Sequence, residues 1–357
     1  MTNKFITLIL CVLAFSSCKT DDDPSDLLEI VISGASINPE VGGPNEPNQV
    51  YVDLSTATST VIKRDTWDLG FYNDSDFKVI LNGSIFMAAA ELDETDIDAV
   101  TEESVESLKD LVAVGTFTDS NMIYIDAPDG DMDTTAIAEI SSIDTNNKVY
   151  LVNLGYKVGT ETASTGTVEI SGNERGWMKI RVLRTEDGYQ LQYASVESTS
   201  HKEVNISKNE AYNFTFFSFD TESIVDVEPI KTDWDLNFTV FTNEIPGYGS
   251  YGYSDFVVNN TLRDVVIYMI DTDEENTLSY EDFSFGDIDE SSFTQDRRSI
   301  GSSWRNGGGP STFPSIKDNI FYILKDTGDN LYKVKFIALT NDAAERGYPE
   351  FVYKLLE

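Results

Sequence analysis

Arg297, Arg298 and Arg305 stand close together, with Trp304 among them, in a chain of 62 acidic and 25 basic residues. Guanidinium forks bind carboxylates through paired hydrogen bonds and stack on aromatic rings. This segment could therefore clamp an anionic, ring-bearing ligand, or simply neutralise the nearby Asp287, Asp289, Glu290 and Asp296. The Gly- and Tyr-rich stretch from Gly247 to Tyr253, with Tyr251 inside it, could wall such a ligand. A lone pair for a transition-metal centre would come from Met or Tyr once histidine is set aside. Met122 flanks a loop and Met269 ends an apolar strand, whereas Met87 and Met178 sit in runs that read as core. His201 is the single histidine and lies in the polar stretch Glu197 to Lys202, which reads as a linker.

A second constellation is acidic. Asp271, Asp273, Glu275 and Asp282, with Ser279, place oxygen side chains at positions one, three, five, nine and twelve of a twelve-residue segment. Calcium takes six to eight oxygens, often from a loop of that spacing. Here the preceding Val265 to Ile270 reads as a strand rather than an entering helix, and Asn276 stands where glycine is usual. Phosphate-cradling glycine motifs are missing, and 62 acids make any pair of carboxylates unremarkable, so no catalytic acid and base can be singled out. The chain reads as a non-enzyme.

Bulk properties narrow the function further. A formal charge of −37 argues against nucleic acid as a partner, since phosphate binding needs a basic stripe. The two cysteines are Cys11 and Cys18. Cys11 lies in an apolar run, Phe5 to Phe15, that follows Lys4 and precedes small residues, the pattern of a secretory signal. Phe15-Ser16-Ser17-Cys18 resembles a bacterial lipobox, in which the cysteine is acylated and begins the mature protein. Lys19-Thr20-Asp21-Asp22-Asp23 resembles the acidic tether of lipoproteins shown on the outer face of the outer membrane in Bacteroidetes-type bacteria. The expectation is residues 1–17 as signal, 18–47 as acidic tether and Cys18 as the lipid anchor. The rest of the chain then has no thiol chemistry.

Between tether and C-terminus the sequence repeats itself. Tyr51-Val52-Asp53-Leu54 followed by Trp67-Asp68-Leu69-Gly70-Phe71 returns as Phe216-Phe217-Ser218-Phe219 followed by Trp234-Asp235-Leu236-Asn237-Phe238. Each copy ends in alternating strands, Trp177 to Val182 with Tyr189 to Tyr193, and Leu331 to Phe336 with Glu350 to Lys354. Period-two alternation rich in β-branched and aromatic residues predicts an all-β protein, mostly antiparallel. Thr327 to Asn330 predicts a hairpin turn. One short helix is expected after Thr101, on Val105, Leu108, Leu111 and Val112. Two tandem domains are expected, 48–200 and 205–357.

The second copy resembles the HmuY family of haem-binding surface lipoproteins over residues 212–357, and the first more loosely over 50–196. The resemblance rests on Tyr212 to Phe219, Trp234 to Phe238 with Asn243, Gly247 to Tyr253, Trp304 before Gly307-Gly308-Gly309-Pro310, Ile320 to Ile323, Tyr332 to Phe336 and Gly347 to Leu356. It implies a hand-like all-β fold that grips one haem between two axial ligands, His or Met, and passes it to an outer-membrane receptor. The loop Trp304 to Pro310, where a ligand would be expected, holds neither. The expected haem site is then Met269 or Met122 as ligand, Tyr251 and Trp304 as wall, and Arg297, Arg298 and Arg305 as anion clamp. The alternative expectation is a binding or adhesion module for a glycan, peptide or partner lipoprotein.

Overall fold

The computed structural model describes residues 32–357, apart from 276, 310 and 311. Cys18, the signal and the start of the tether lie outside the described residues. Alternation becomes strand where it is strongest. Val149–Asn153, Trp177–Arg184 and Gly188–Ser195 are antiparallel neighbours, and so are Ile320–Lys325, Leu331–Thr340 and Arg346–Leu355. The hairpin turn falls where expected: Asp326 Oδ1 accepts from the backbone N–H groups of Gly328 and Asn330 at 2.8 and 2.7 Å. The helix is shorter than its pattern, covering Glu102–Val105 with a 3-10 extension to Leu108, and is capped reciprocally by Thr101 and Ser104.

Each set of three strands gains two more. The first sheet runs Lys202–Ser207, Gly188–Ser195, Trp177–Arg184, Val149–Asn153 and Ala88–Glu91. The second runs Gly34–Ile37, Arg346–Leu355, Leu331–Thr340, Ile320–Lys325 and Val266–Asp271. Two four-stranded sheets complete the body. One is Ser223–Val225, Phe214–Ser218, Leu69–Tyr72 and Val79–Leu81; the other is Thr58–Lys63, Asn48–Asp53, Leu236–Ile245 and Gly249–Asn259. The protein is all-β, and these pairings are antiparallel.

The repeat is present, but it does not divide the chain at 200–205. With Gly34–Ile37 counted in the first copy and Lys202–Ser207 in the second, each of these four sheets takes strands from both. Leu69–Tyr72 of the first pairs with Phe214–Ser218 of the second, and Leu236–Ile245 of the second with Asn48–Asp53 of the first. Each copy has lent its opening three strands to the other. The physical reason is equivalence: Tyr51 and Phe216 present the same pattern to Trp234 and Trp67, so exchanged pairing buries the same faces. Their rings meet edge-on, Tyr51 with Trp234 at 5.0 Å and Trp67 with Phe216 at 4.8 Å. Asp68 Oδ2 accepts the Phe219 N–H at 2.6 Å, and Asp235 Oδ2 the Leu54 N–H at 2.8 Å. Residues 32–357 form one compact unit with an interleaved core, in which Leu69, Val152 and Leu191 pack with Ile206 and Phe217.

Two further expectations change. The stretch read as tether is already structural by Gly34–Ile37, which is an edge strand on Arg346–Leu355. His201 is tied down rather than free: it stands immediately before the strand Lys202–Ser207, with Nδ1 3.0 Å from Asp98 and Nε2 3.2 Å from Glu203. Burial disfavours its charged form, but the two carboxylates outweigh that and raise its pKa.

Candidate functional site

A cleft of about 560 Å³ opens between Tyr156, Tyr251 and Tyr253 on its walls and Arg305 and Arg346 at its polar side. Tyr251 and Tyr253 sit two apart on Gly249–Asn259 and so share one face, their rings 5.5 Å apart and perpendicular. Gly252 lies between them because the Phe86 ring presses there; a Cβ would meet that ring at 2.2 Å. Phe86 itself sits at φ +66 after a 3-10 turn, which turns its ring toward Tyr156 at 6.2 Å. Exposed Phe117 leans on Tyr251 at 6.0 Å and extends the aromatic rim.

The arginines are held by a β-bulge. Register against Leu236–Ile245 slips between Thr239 and Phe241, and Asp255 adopts φ +47 there. The bulge turns Asp255 inward, with its side chain fully buried. Asp255 Oδ2 accepts Arg346 Nε at 3.1 Å and is also bonded by Arg346 Nη2, while Arg305 Nε lies 3.3 Å away. Arg346 Nη2 also donates to Ser254 Oγ at 2.9 Å. The Asp255 N–H donates to the Glu46 carboxylate at 3.0 and 3.1 Å. Arg64, fully buried, donates Nε to the Glu46 carbonyl at 2.7 Å.

The charges do not cancel. Burial and the adjacent Asp255 push the Glu46 carboxyl up to about 8, so it is mostly neutral at pH 7. Burial lowers Arg64 to about 10 and lowers Arg305 too, which leaves Arg64 charged. Two guanidinium groups, those of Arg305 and Arg346, therefore share the Asp255 carboxylate, while Arg64 spends its donors on the Glu46, Ser84 and Ile170 carbonyls. In a chain of charge −37, this is a local excess of positive charge beside a wall of phenols. The arrangement can hold a flat aromatic molecule with an anionic edge; it offers no nucleophile activated by a neighbouring base.

Tyr251 and Arg305 both line this cleft, and the other named residues do not. Trp304 is no wall: it is buried, stacks on Phe336 at 4.3 Å and donates Nε1 to the Asp255 carbonyl at 3.2 Å. Arg298 is bound to Asp296 at 2.8–3.2 Å and to Glu244 at 2.8 Å, the neutralising role. Arg297 turns inward, donating to the Pro128 and Ala127 carbonyls and lying over the Phe241 ring at 5.0 Å. Met269 is exposed on the edge strand Val266–Asp271, and Met122 packs against Ala88, Val112 and Ile125; neither lines the cleft. The sulfur ligands fail because neither strand position nor loop position aims them at a common space.

The carboxylates proposed for calcium are engaged by neighbouring groups. Asp271 Oδ1 accepts from Asn319 Nδ2 at 2.8 Å and from the Asp273 N–H at 3.0 Å; Asp273 Oδ2 is 3.1 Å from the same Asn319 amide. Asp282 is occupied by Ser279 at 2.9 Å. Among the described residues, Glu275 included, no three His, Cys, Asp or Glu side chains cluster to hold a metal. Sequence reasoning missed Arg346, Arg64, Asp255 and Glu46. Glu46 lay in the apparent tether, and the bulge that recruits Asp255 leaves no sequence signature beyond Gly252 nearby.

A family model described as HmuY protein matches residues 45–353. Among solved structures, the apo HmuY analogue of Tannerella forsythia is 8% identical, with TM-score 0.24, over 92% of this chain and 98% of its own. A protein from Bacteroides fragilis whose structure is described as that of a "putative lipoprotein" is 11% identical, with TM-score 0.18, over 91% and 94%. No curated protein matches.

Proposed function

The chain belongs to the HmuY family, and from that premise we propose that it is a surface lipoprotein that captures haem in the tyrosine–arginine cleft for transfer to an outer-membrane receptor. The observation that carries the reading is the cleft's composition: three phenols and Phe86 as walls, two buried arginines in ionic excess, and about 560 Å³ of space. That volume is within the roughly 300–1,000 Å³ of small-molecule sites. A flat apolar ring suits the walls, and its carboxylates suit the arginines. The donors on offer are phenol oxygens rather than imidazole or thioether. Tyrosine is an established ligand of haem iron. Arg305 favours the ionised form of Tyr253, though burial dominates and raises that phenol's pKa. When bound, the group supplies the iron being acquired; the protein's residues only bind and orient it.

The test is a titration of the purified mature protein with ferric haem, read by visible absorption. Oxygen ligation should give a Soret shift in the ferric state that weakens on adding dithionite. Tyr251→Phe with Tyr253→Phe should remove the shift, and Met269→Ala should leave it intact. A shift that appears only on reduction, or that survives the double tyrosine variant, would place the ligand elsewhere. The lack of histidine and methionine in the cleft favours one second reading, a site for an iron-free planar anion. Equal affinity for metal-free protoporphyrin would support it.

The lipid anchor is proposed on the lipobox alone. Cys18→Ser should leave an unlipidated precursor that no longer fractionates with outer membranes, and normal membrane retention of that variant would refute the anchor. No described helix is long and apolar enough to cross a membrane.

A further inference from the structure

A separate cavity of about 150 Å³ lies where strands from the two copies meet, and it shares no lining residue with the tyrosine cleft. Much of its wall comes in repeat-related pairs: Trp67 with Trp234, Tyr51 with Phe216, Asn82 with Asn260. Asn82 and Asn260 serve the fold, each donating its side-chain amide to two backbone carbonyls just before its strand. Five other wall groups have no partner. The indole N–H of Trp67 and of Trp234 and the amide oxygens of Asn213, Asn237 and Asn259 make no hydrogen bond, although all five residues are over nine-tenths buried. Buried polar atoms are rarely left unpaired, and each instance calls for an occupant.

The repeat shows that these strands can be built without two of the unpaired amide oxygens. Counting from Asp68 and Asp235, and from Asn82 and Asn260, Asn237 stands where the first copy has Gly70, and Asn259 where it has Leu81. One copy builds the same strands with glycine and leucine; the other lines the cavity with two asparagines whose amide oxygens are unpaired, although Asn259 Nδ2 donates to the Val265 carbonyl at 2.7 Å. We propose that this cavity is a binding site for a small, neutral, hydroxylated molecule of about six to eight non-hydrogen atoms, a size set by the benzene that a cavity of about 150 Å³ accepts.

Hydroxyl groups follow from the unpaired atoms, which comprise two donors and three acceptors; a hydroxyl serves both kinds. Neutrality follows from the rest of the wall. The wall's charged groups are already engaged: Asp126 accepts the Leu81 and Ala136 N–H groups at 2.7 and 2.9 Å, Glu228 accepts the Phe214 N–H at 2.7 Å and is held toward its neutral form by burial, and Arg297 donates to the Ala127 and Pro128 carbonyls. A flat shape follows from the four rings. Entry has a route: a surface groove of about 420 Å³ shares Gly130, Met132, Thr261 and Leu262 with the cavity.

The full chain, titrated with catechol and, separately, with benzene, tests this through the indole N–H resonances of its four tryptophans. Catechol should shift the signals of Trp67 and Trp234 and spare those of Trp177 and Trp304; benzene should shift none at equal concentration. Trp67→Phe should weaken catechol binding about three- to tenfold, the loss of one hydrogen bond. Asn259→Leu, which installs the first copy's residue, should keep the fold and weaken binding by at least as much. Equal response to benzene, no response to catechol, or undiminished affinity in a folded Asn259→Leu variant would each overturn the proposal and leave a cavity for solvent or hydrocarbon.

Discussion

Produced alone, residues 205–357 should not fold, although they contain every alternating strand of the second copy. Leu236–Ile245 would lose Asn48–Asp53, Phe214–Ser218 would lose Leu69–Tyr72, and Arg346–Leu355 would lose Gly34–Ile37. Phe216 and Phe217 would lose Trp67 and Tyr193, whose rings they meet at 4.8 and 5.4 Å. Returning a large apolar side chain to water costs about 1.5–3 kcal/mol. Four or five such losses match the whole stability of a typical domain, about 5–15 kcal/mol. Far-UV circular dichroism should show no cooperative melt for the fragment, and co-expression with residues 32–204 should restore one. A cooperative melt of 205–357 by itself would contradict the exchanged pairing.

Asp255→Ala should be the most damaging single substitution at the cleft. It removes the one carboxylate shared by Arg305 and Arg346 and leaves buried cations uncompensated, at a cost of roughly 3–5 kcal/mol. Arg298→Ala, by contrast, breaks pairs whose carboxylates are more than a third exposed and should cost under about 1 kcal/mol. The Asp255 penalty should also depend on pH. Glu46 is raised to about 8 in the folded wild type, so the wild type loses stability as pH rises from the unfolded value near 4.5 toward 8. Burial, the larger cause, stays in the variant, but the Asp255 repulsion that adds to it is gone, so the variant loses less over that window. Thermal melts of both proteins at pH 5.5 and pH 8.5 should show the gap narrowing at the higher pH; a constant gap would mean Glu46 is not coupled to Asp255.

The strands were legible because alternation is local. Trp177–Arg184 and Leu331–Thr340 carry their period in their own residues. Partnership is not local. Leu69–Tyr72 could pair with Asn48–Asp53 or with Phe214–Ser218, since both offer an aromatic at the same register, and no pattern within either strand decides between them. The site divides the same way. Tyr251 and Arg305 were visible as residue types. Asp255 became central through a bulge and a positive φ, and Glu46 through burial of a stretch whose acids and prolines read as solvated chain. The methionines show the converse: a side chain capable of ligation, such as that of Met269, is no ligand when it faces solvent from a sheet edge.

The exchange of opening strands has a consequence in time. Ile37 pairs with Phe351, and Val52 with Leu236, so the first strands made wait for partners made last. At the roughly 5–20 residues per second of synthesis, the interval from Ile37 to Phe351 is about 15–60 s. Throughout it the nascent chain has no complete five-stranded sheet of the second kind to close. A polypeptide that has to stay open before it folds benefits from such a delay, because that sheet cannot close until Arg346–Leu355 is present between Gly34–Ile37 and Leu331–Thr340.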